Sequence, residues 1–201
     1  ILIQMPHAFF SKAGKESGLK LPSSNDYGVG MLFLPADLES RKMCHALFAA
    51  TLQEEGVRLL GWREVPVNHA VIGERARSTE PNISQVFLAC DDRTQLLFER
   101  KLYVIRKVIE KKVRESTIPH RNQFFIVSLS TRTLVYKGLF LPQQLAQYYG
   151  DLTDPNLISA FAIVHSRFST NTFPTWSLAH PYRYICHNGE INTVKGNVNW
   201  M

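Results

Sequence analysis

Apolar residues fall along this chain in two rhythms. The eight positions Tyr27–Leu34 hold Val, Met, Phe, Leu, Tyr and two Gly without a charged residue, and Pro35 follows. Such a run predicts a buried strand. Residues 98–114 repeat at threes and fours instead. Phe98, Leu102, Ile105, Ile109 and Val113 share one face, and Arg100, Lys101, Lys107, Lys111 and Lys112 occupy the others. That spacing predicts an amphipathic helix. Asp37 is an N-cap for a helix running to Glu55, with Cys44, Leu47, Phe48, Thr51 and Leu52 on one side and Gly56 as its stop. A shorter helix is expected over 9–17, closing at Gly18, and another over 142–149. Strands are expected over 57–65 and 85–90. A hairpin is expected from 124–130 and 133–139 around Thr131-Arg132. The last two strands, 159–167 and 182–188, flank a long polar loop. Helices and strands come in mixed order rather than strict alternation, which predicts an α+β fold with largely antiparallel sheets and helices packed outside.

Composition narrows the class. With 201 residues, 45% hydrophobic and 20% charged, the chain is neither disordered nor fibrous and is sized for one domain. No apolar run approaches the ~18–20 residues needed to span a bilayer, so no transmembrane helix is expected. The net charge of +6 is compatible with nucleic acid, acidic metabolites or neither. The three cysteines form no CxxC pair. An odd, scattered set argues against a disulfide framework and for a reducing cytoplasm. Residue 1 is Ile, and the chain stops at Trp200-Met201 without a helix-stop pattern. Both ends read as cuts through a longer protein.

The densest polar chemistry lies in the last forty or so residues. His165-Ser166-Arg167-Phe168-Ser169-Thr170 ends one expected strand, and Cys186-His187-Asn188-Gly189 ends another. Alternation along the first would put Phe161, Ile163, His165 and Arg167 on one face and Ala162, Val164 and Ser166 on the other. A guanidinium at that strand end can grip a carboxylate with two parallel bonds. Asn188-Gly189 supports two readings. It is a strong type I′ turn signal. It also offers an amide N–H and a backbone N–H to one developing oxyanion, with Gly allowing close approach.

These strings, His165 to Trp176 and His187 to Asn197, resemble the glutamine amidotransferase domain of the glutamate synthases. The resemblance extends through Tyr27–Leu34, Gly61-Trp-Arg-Glu-Val-Pro66, Phe98-Glu-Arg-Lys-Leu-Tyr103, Tyr136-Lys-Gly138 and Tyr149-Gly-Asp-Leu152. The shorter His-x-Arg-x-Ser-Thr and His-Asn-Gly patterns belong to the wider class II amidotransferases. The resemblance implies an N-terminal-nucleophile hydrolase fold, a four-layer α/β/β/α sandwich with two largely antiparallel sheets, here incomplete. Residues 1–201 would be one amidotransferase domain lacking its N-terminal nucleophile segment and its C-terminal part.

The implied activity is glutaminase chemistry. A Cys at the mature N-terminus attacks the glutamine amide through a thioester, with the α-amine as base. On the matching positions, Arg167 would bind the α-carboxylate of L-glutamine, helped by Thr170, and Asn188 and Gly189 would form the oxyanion hole. His165 and His187 would be structural, while Trp176 and Phe173 would wall the pocket. The ammonia would aminate 2-oxoglutarate in a synthase domain of the same parent chain. That domain would use flavin mononucleotide and an iron–sulfur cluster, with an electron-supplying small subunit as a further partner. No cofactor is expected in this segment, and the segment alone is expected to be inactive. The electron donor, whether NADPH, NADH or ferredoxin, is not encoded here.

Other readings compete. Another class II glutamine-dependent enzyme shares the short motifs. A zinc site from His165, His180 and His187 lacks helical i,i+4 spacing. A nucleic-acid module would use the basic face of 98–114, but Glu99, Glu110 and Glu115 interrupt its charge. Cys186 beside His187 suggests a dyad. Opposite strand faces would separate the two, leaving Cys186 buried and inert, with Cys44 and Cys90 as packing residues.

Overall fold

A computed structural model describes residues 1–90, 94–166, 173–186 and 198–200. Among the described residues before 164 lie seven strands and five α-helices: β1 (Leu2–Gln4), α1 (His7–Glu16), β2 (Tyr27–Leu34), α2 (Leu38–Glu54), β3 (Arg58–Glu64), α3 (Glu74–Arg77), β4 (Asn82–Ala89), α4 (Gln95–Glu115), β5 (Phe125–Ser130), β6 (Thr133–Val135), α5 (Leu145–Tyr148) and β7 (Ala162–Ile163). They form two antiparallel sheets, β3-β4-β2-β5 and β6-β1-β7. The α+β sandwich expected from the sequence is what the chain forms.

Every residue of β2 is buried, because this strand has apolar layers on both faces. On one side Leu32 and Leu34 pack with Cys44, Phe48 and Leu52 of α2 and Phe98, Leu102 and Ile105 of α4. On the other, Tyr27, Val29, Met31 and Phe33 face Leu2, Leu134 and Tyr136 of the smaller sheet. Phe10 of α1 joins this second layer edge-on to Phe87, with ring centroids 5.2 Å apart. Burial of this kind stabilises by roughly 25 cal/mol per Å² of apolar surface. The helix ends follow their local signals. The Asp37 carboxylate accepts the Ser40 N–H at 2.8 Å, and Gly18 and Gly56 end α1 and α2 at φ +72° and +65°.

Three expectations are corrected. Residues 124–139 form no hairpin. β5 pairs with β2 and β6 pairs with β1, so the chain changes sheets at residues 130–133. Glu99 of α4 holds this corner, accepting bonds from the Ser130 hydroxyl, the Thr131 N–H and the Thr131 hydroxyl at 2.6, 2.7 and 2.8 Å. The strand expected over 159–167 is confined to Ala162–Ile163 among the described residues. Residues 182–185 form a tight turn rather than a strand. Tyr182 and Ile185 exchange N–H···O bonds of 2.8 and 3.1 Å, and Arg183 takes φ 56°.

Candidate active site

The start of β1 and the ends of β6 and β7 lie at one margin of the smaller sheet. The backbone of Ile1 continues the pairing there, donating to Tyr136 O at 2.6 Å and accepting from Tyr136 N at 2.9 Å. A cavity of about 820 Å³ opens at this margin. Its wall includes Ile1, Tyr136, Lys137, Gly138, Val164, His165, Ser166 and His180. Arg75, Ser78 and Thr79, in and after α3, face them, and Phe140, Leu141 and Leu145 supply an apolar side. Gly138 fits because a Cβ there would stand 2.4 Å from Phe140 and 2.5 Å from Trp176.

Behind the wall lies a buried polar network. Arg63 on β3 donates to both carboxylate oxygens of Asp151 at 2.8 and 2.7 Å and to Gln85 Oε1 on β4 at 2.8 Å. The Tyr136 hydroxyl donates to Asp151 at 2.9 Å. Burial, with Asp151 beside it, holds the Tyr136 phenol well above its usual pKa, so it stays a donor. The network fixes Tyr136, and hence the β6 end, to the larger sheet.

Lys137 follows. Its Nζ donates to Ser177 O at 2.6 Å and Ala179 O at 2.9 Å, and it rests 4.8 Å from the Phe125 ring centroid. Burial, reinforced by Arg183, lowers this amine to about 7. Beside it, the His165 and His180 rings stack 4.5 Å apart.

The four residues assigned from the resemblance, Arg167, Thr170, Asn188 and Gly189, lie outside the described residues, as does His187. The segments leading to them are described, and they meet. Val164, His165 and Ser166 all contribute to the cavity wall. The Cys186 thiol donates to Val164 O at 3.8 Å. Three consecutive residues on one wall do not follow the alternation of a strand, which is consistent with β7 ending at Ile163.

Some assigned roles change. Cys186 is half-buried rather than buried. It follows the 182–185 turn rather than a strand, and the dyad considered with His187 falls outside the described residues. Trp176 is buried in the core, donating its Nε1–H to Ala76 O at 3.1 Å, and lies behind Phe140 rather than on the cavity wall. Phe173 is 85% exposed and does not line the cavity. Cys44 and Cys90 pack in or against the helix–sheet core, as expected. Lys101 and Lys112 of α4 pair with Glu55 and Glu54, which breaks up the basic face considered for nucleic acid. The sequence reading missed Lys137, Arg75 and the Arg63–Gln85–Asp151 network. Gln85 inside an apolar strand and Arg63 inside another were the available signals.

Two antiparallel sheets face to face, helices outside the larger one and a cavity at one set of strand ends define the sandwich of the N-terminal-nucleophile hydrolases. The family described as glutamine amidotransferases class-II matches residues 1–201, and the chain belongs to it. It is 50% identical over its whole length to the glutamate synthase [NADPH] large chain of Bacillus subtilis (strain 168), and 45% identical to that of Azospirillum brasilense. Against ferredoxin-dependent glutamate synthase 1 of Arabidopsis thaliana the identity is 43%, again over the whole chain. The chain covers 13%, 13% and 12% of the length of these relatives. Among the described residues no helix is long and apolar enough to cross a membrane.

Proposed function

We propose that this chain is the glutaminase segment of a longer glutamate-synthase-like protein of the cytoplasm. Its substrate is L-glutamine. The carrying observation is that residues 164–166 line the cavity and that Cys186 meets Val164 beside it, because in sequence these stretches continue to Arg167 and, past His187, to Asn188-Gly189. In this reading Arg167, with Thr170, grips the α-carboxylate. A cysteine thiolate supplied from outside residues 1–201 adds to the amide carbon, and Asn188 and Gly189 donate to the oxyanion. The C–N bond breaks as the nitrogen takes a proton, ammonia leaves, and water cleaves the thioester to glutamate. The relatives are named glutamate synthases, which favours this parent over other class II enzymes.

The ammonia then meets 2-oxoglutarate in a separate synthase domain. A flavin mononucleotide and an iron–sulfur cluster would supply reducing chemistry there, fed by a small subunit or another electron donor. No step at residues 1–201 runs through these groups. Confinement suits the chemistry, since ammonia released to water near neutral pH becomes ammonium, which is no nucleophile.

The test is glutamate release from glutamine by the full protein. It is expected in the wild type and abolished when the mature N-terminal Cys becomes Ala. Turnover that survives that change, or none in the wild type, refutes the reading.

A further inference from the structure

Lys137 is 3% exposed, and no other lysine among the described residues is buried. Among those residues no carboxylate pairs with it. A buried, unpaired ammonium is costly, and an apolar side chain of similar length would fill the space without that cost. The amine is instead committed to two carbonyls, Ser177 O and Ala179 O. Its backbone is held as well, the Tyr149 hydroxyl donating to Lys137 O at 2.8 Å.

The segment that Lys137 grips is one connected piece. The Tyr182 hydroxyl donates to Leu178 O at 2.7 Å, and the Tyr182 ring lies 5.4 Å from Lys137 Nζ. Tyr182 closes the turn to Ile185, and Cys186 follows with its thiol on Val164 O. Lys137 therefore fixes the start of a package whose far end stands two residues before Asn188.

We propose that Lys137 is a positioning residue for amide hydrolysis: by tying residues 177–179 to the end of β6 it holds the package that ends at Cys186, from which the sequence continues to Asn188 and Gly189. The proposal rests on the glutaminase reading. Lys137 acts through the oxyanion donors, so it bears on the transition state rather than on glutamine binding. Misplacement of about 1 Å in such a site costs up to about 100-fold.

The experiment compares wild type, Lys137→Met, Lys137→Arg and Tyr182→Phe in the full protein, reading kcat and KM for glutamine hydrolysis. Lys137→Met is expected to lower kcat about 10- to 100-fold with KM changed less than about twofold, and Lys137→Arg to restore most of kcat. Tyr182→Phe removes a bond of the same package from a partly exposed position. It is expected to lower kcat about three- to tenfold at unchanged KM, and it decides the matter should Lys137→Met not fold. Wild-type kcat in folded Lys137→Met or in Tyr182→Phe, a KM effect alone, or no rescue by Arg overturns the proposal. An active wild type with these negative results sinks only the proposal. A wild type that releases no glutamate sinks the glutaminase reading and the proposal together.

Discussion

The guanidinium of Arg63 and the carboxylate of Asp151 lie edge to edge, joined by two hydrogen bonds across 88 residues of sequence. Both are nearly out of water, their side chains 10% and 2% exposed. Each also serves a neighbour, Gln85 for Arg63 and Tyr136 for Asp151. The pair fastens the cavity wall to the larger sheet.

Removing one partner should cost more than removing both. Asp151→Ala leaves a buried guanidinium without its counter-charge, and about 3–5 kcal/mol of stability is expected to go. Arg63→Met with Asp151→Leu is expected to recover much of that loss. Denaturant midpoints at constant m-value make the comparison. A single variant as stable as the wild type would show the pair to be dispensable.

Arg167 and Asn188 should separate kinetically. Arg167→Ala is expected mainly to raise KM for glutamine, and an unchanged KM would count against the carboxylate role. Asn188→Ala is expected to lower kcat by about 10²–10³, the usual cost of one oxyanion donor. Wild-type turnover in that variant would remove Asn188 from the site.

Lys137 gives a pH dependence of definite sign. Folding lowers its amine from 10.5 to about 7, burial being the main cause and Arg183 the second. Between those values the unfolded chain holds a proton that the folded chain has lost, so stability rises with pH across that window. Below about pH 7 the cost of the buried charge is present in full. Chemical denaturation between about pH 6 and about pH 9 should show the wild type gaining stability relative to Lys137→Met as pH rises. Parallel curves for the two proteins would contradict the titration.

The thiols should label in a fixed order. Burial pushes the fully buried Cys44 up to about 11, whereas Cys90 and Cys186 are half-buried. The thiolate is the reactive form. Peptide mapping after native alkylation near neutral pH should find Cys90 and Cys186 modified before Cys44. Early modification of Cys44 would place that side of α2 nearer to solvent.

Much of the scaffold was legible because its signals are local. The apolar run at Tyr27–Leu34, the three-and-four spacing from Phe98 to Val113 and the Asp37 cap each carry their own instruction. Partner choice is not local. Nothing in residues 124–139 says that β5 belongs to one sheet and β6 to another; that depends on Glu99, a helix residue some thirty positions earlier. Tyr182 to Cys186 alternates plausibly, yet backbone bonds between Tyr182 and Ile185 fold it into a turn. The motif letters around Arg167 and Asn188 carried the resemblance, and those residues lie outside the described ones. The residues that hold its surroundings, Lys137, Tyr136 and Asp151, carry no motif of their own beyond their place in the resemblance.

The smaller sheet has an unusual assembly order built into it. Ile1 pairs with Tyr136 across 135 residues, and the Gln4 N–H meets the Ser159 hydroxyl across 155. Loop closure over such spans comes late, after local helices and the neighbouring strands have reduced the search. A chain leaving the ribosome can bury α2, β3, β4 and α4 together long before β1 finds β6 and β7. Catalytic competence would then be among the last properties acquired during synthesis.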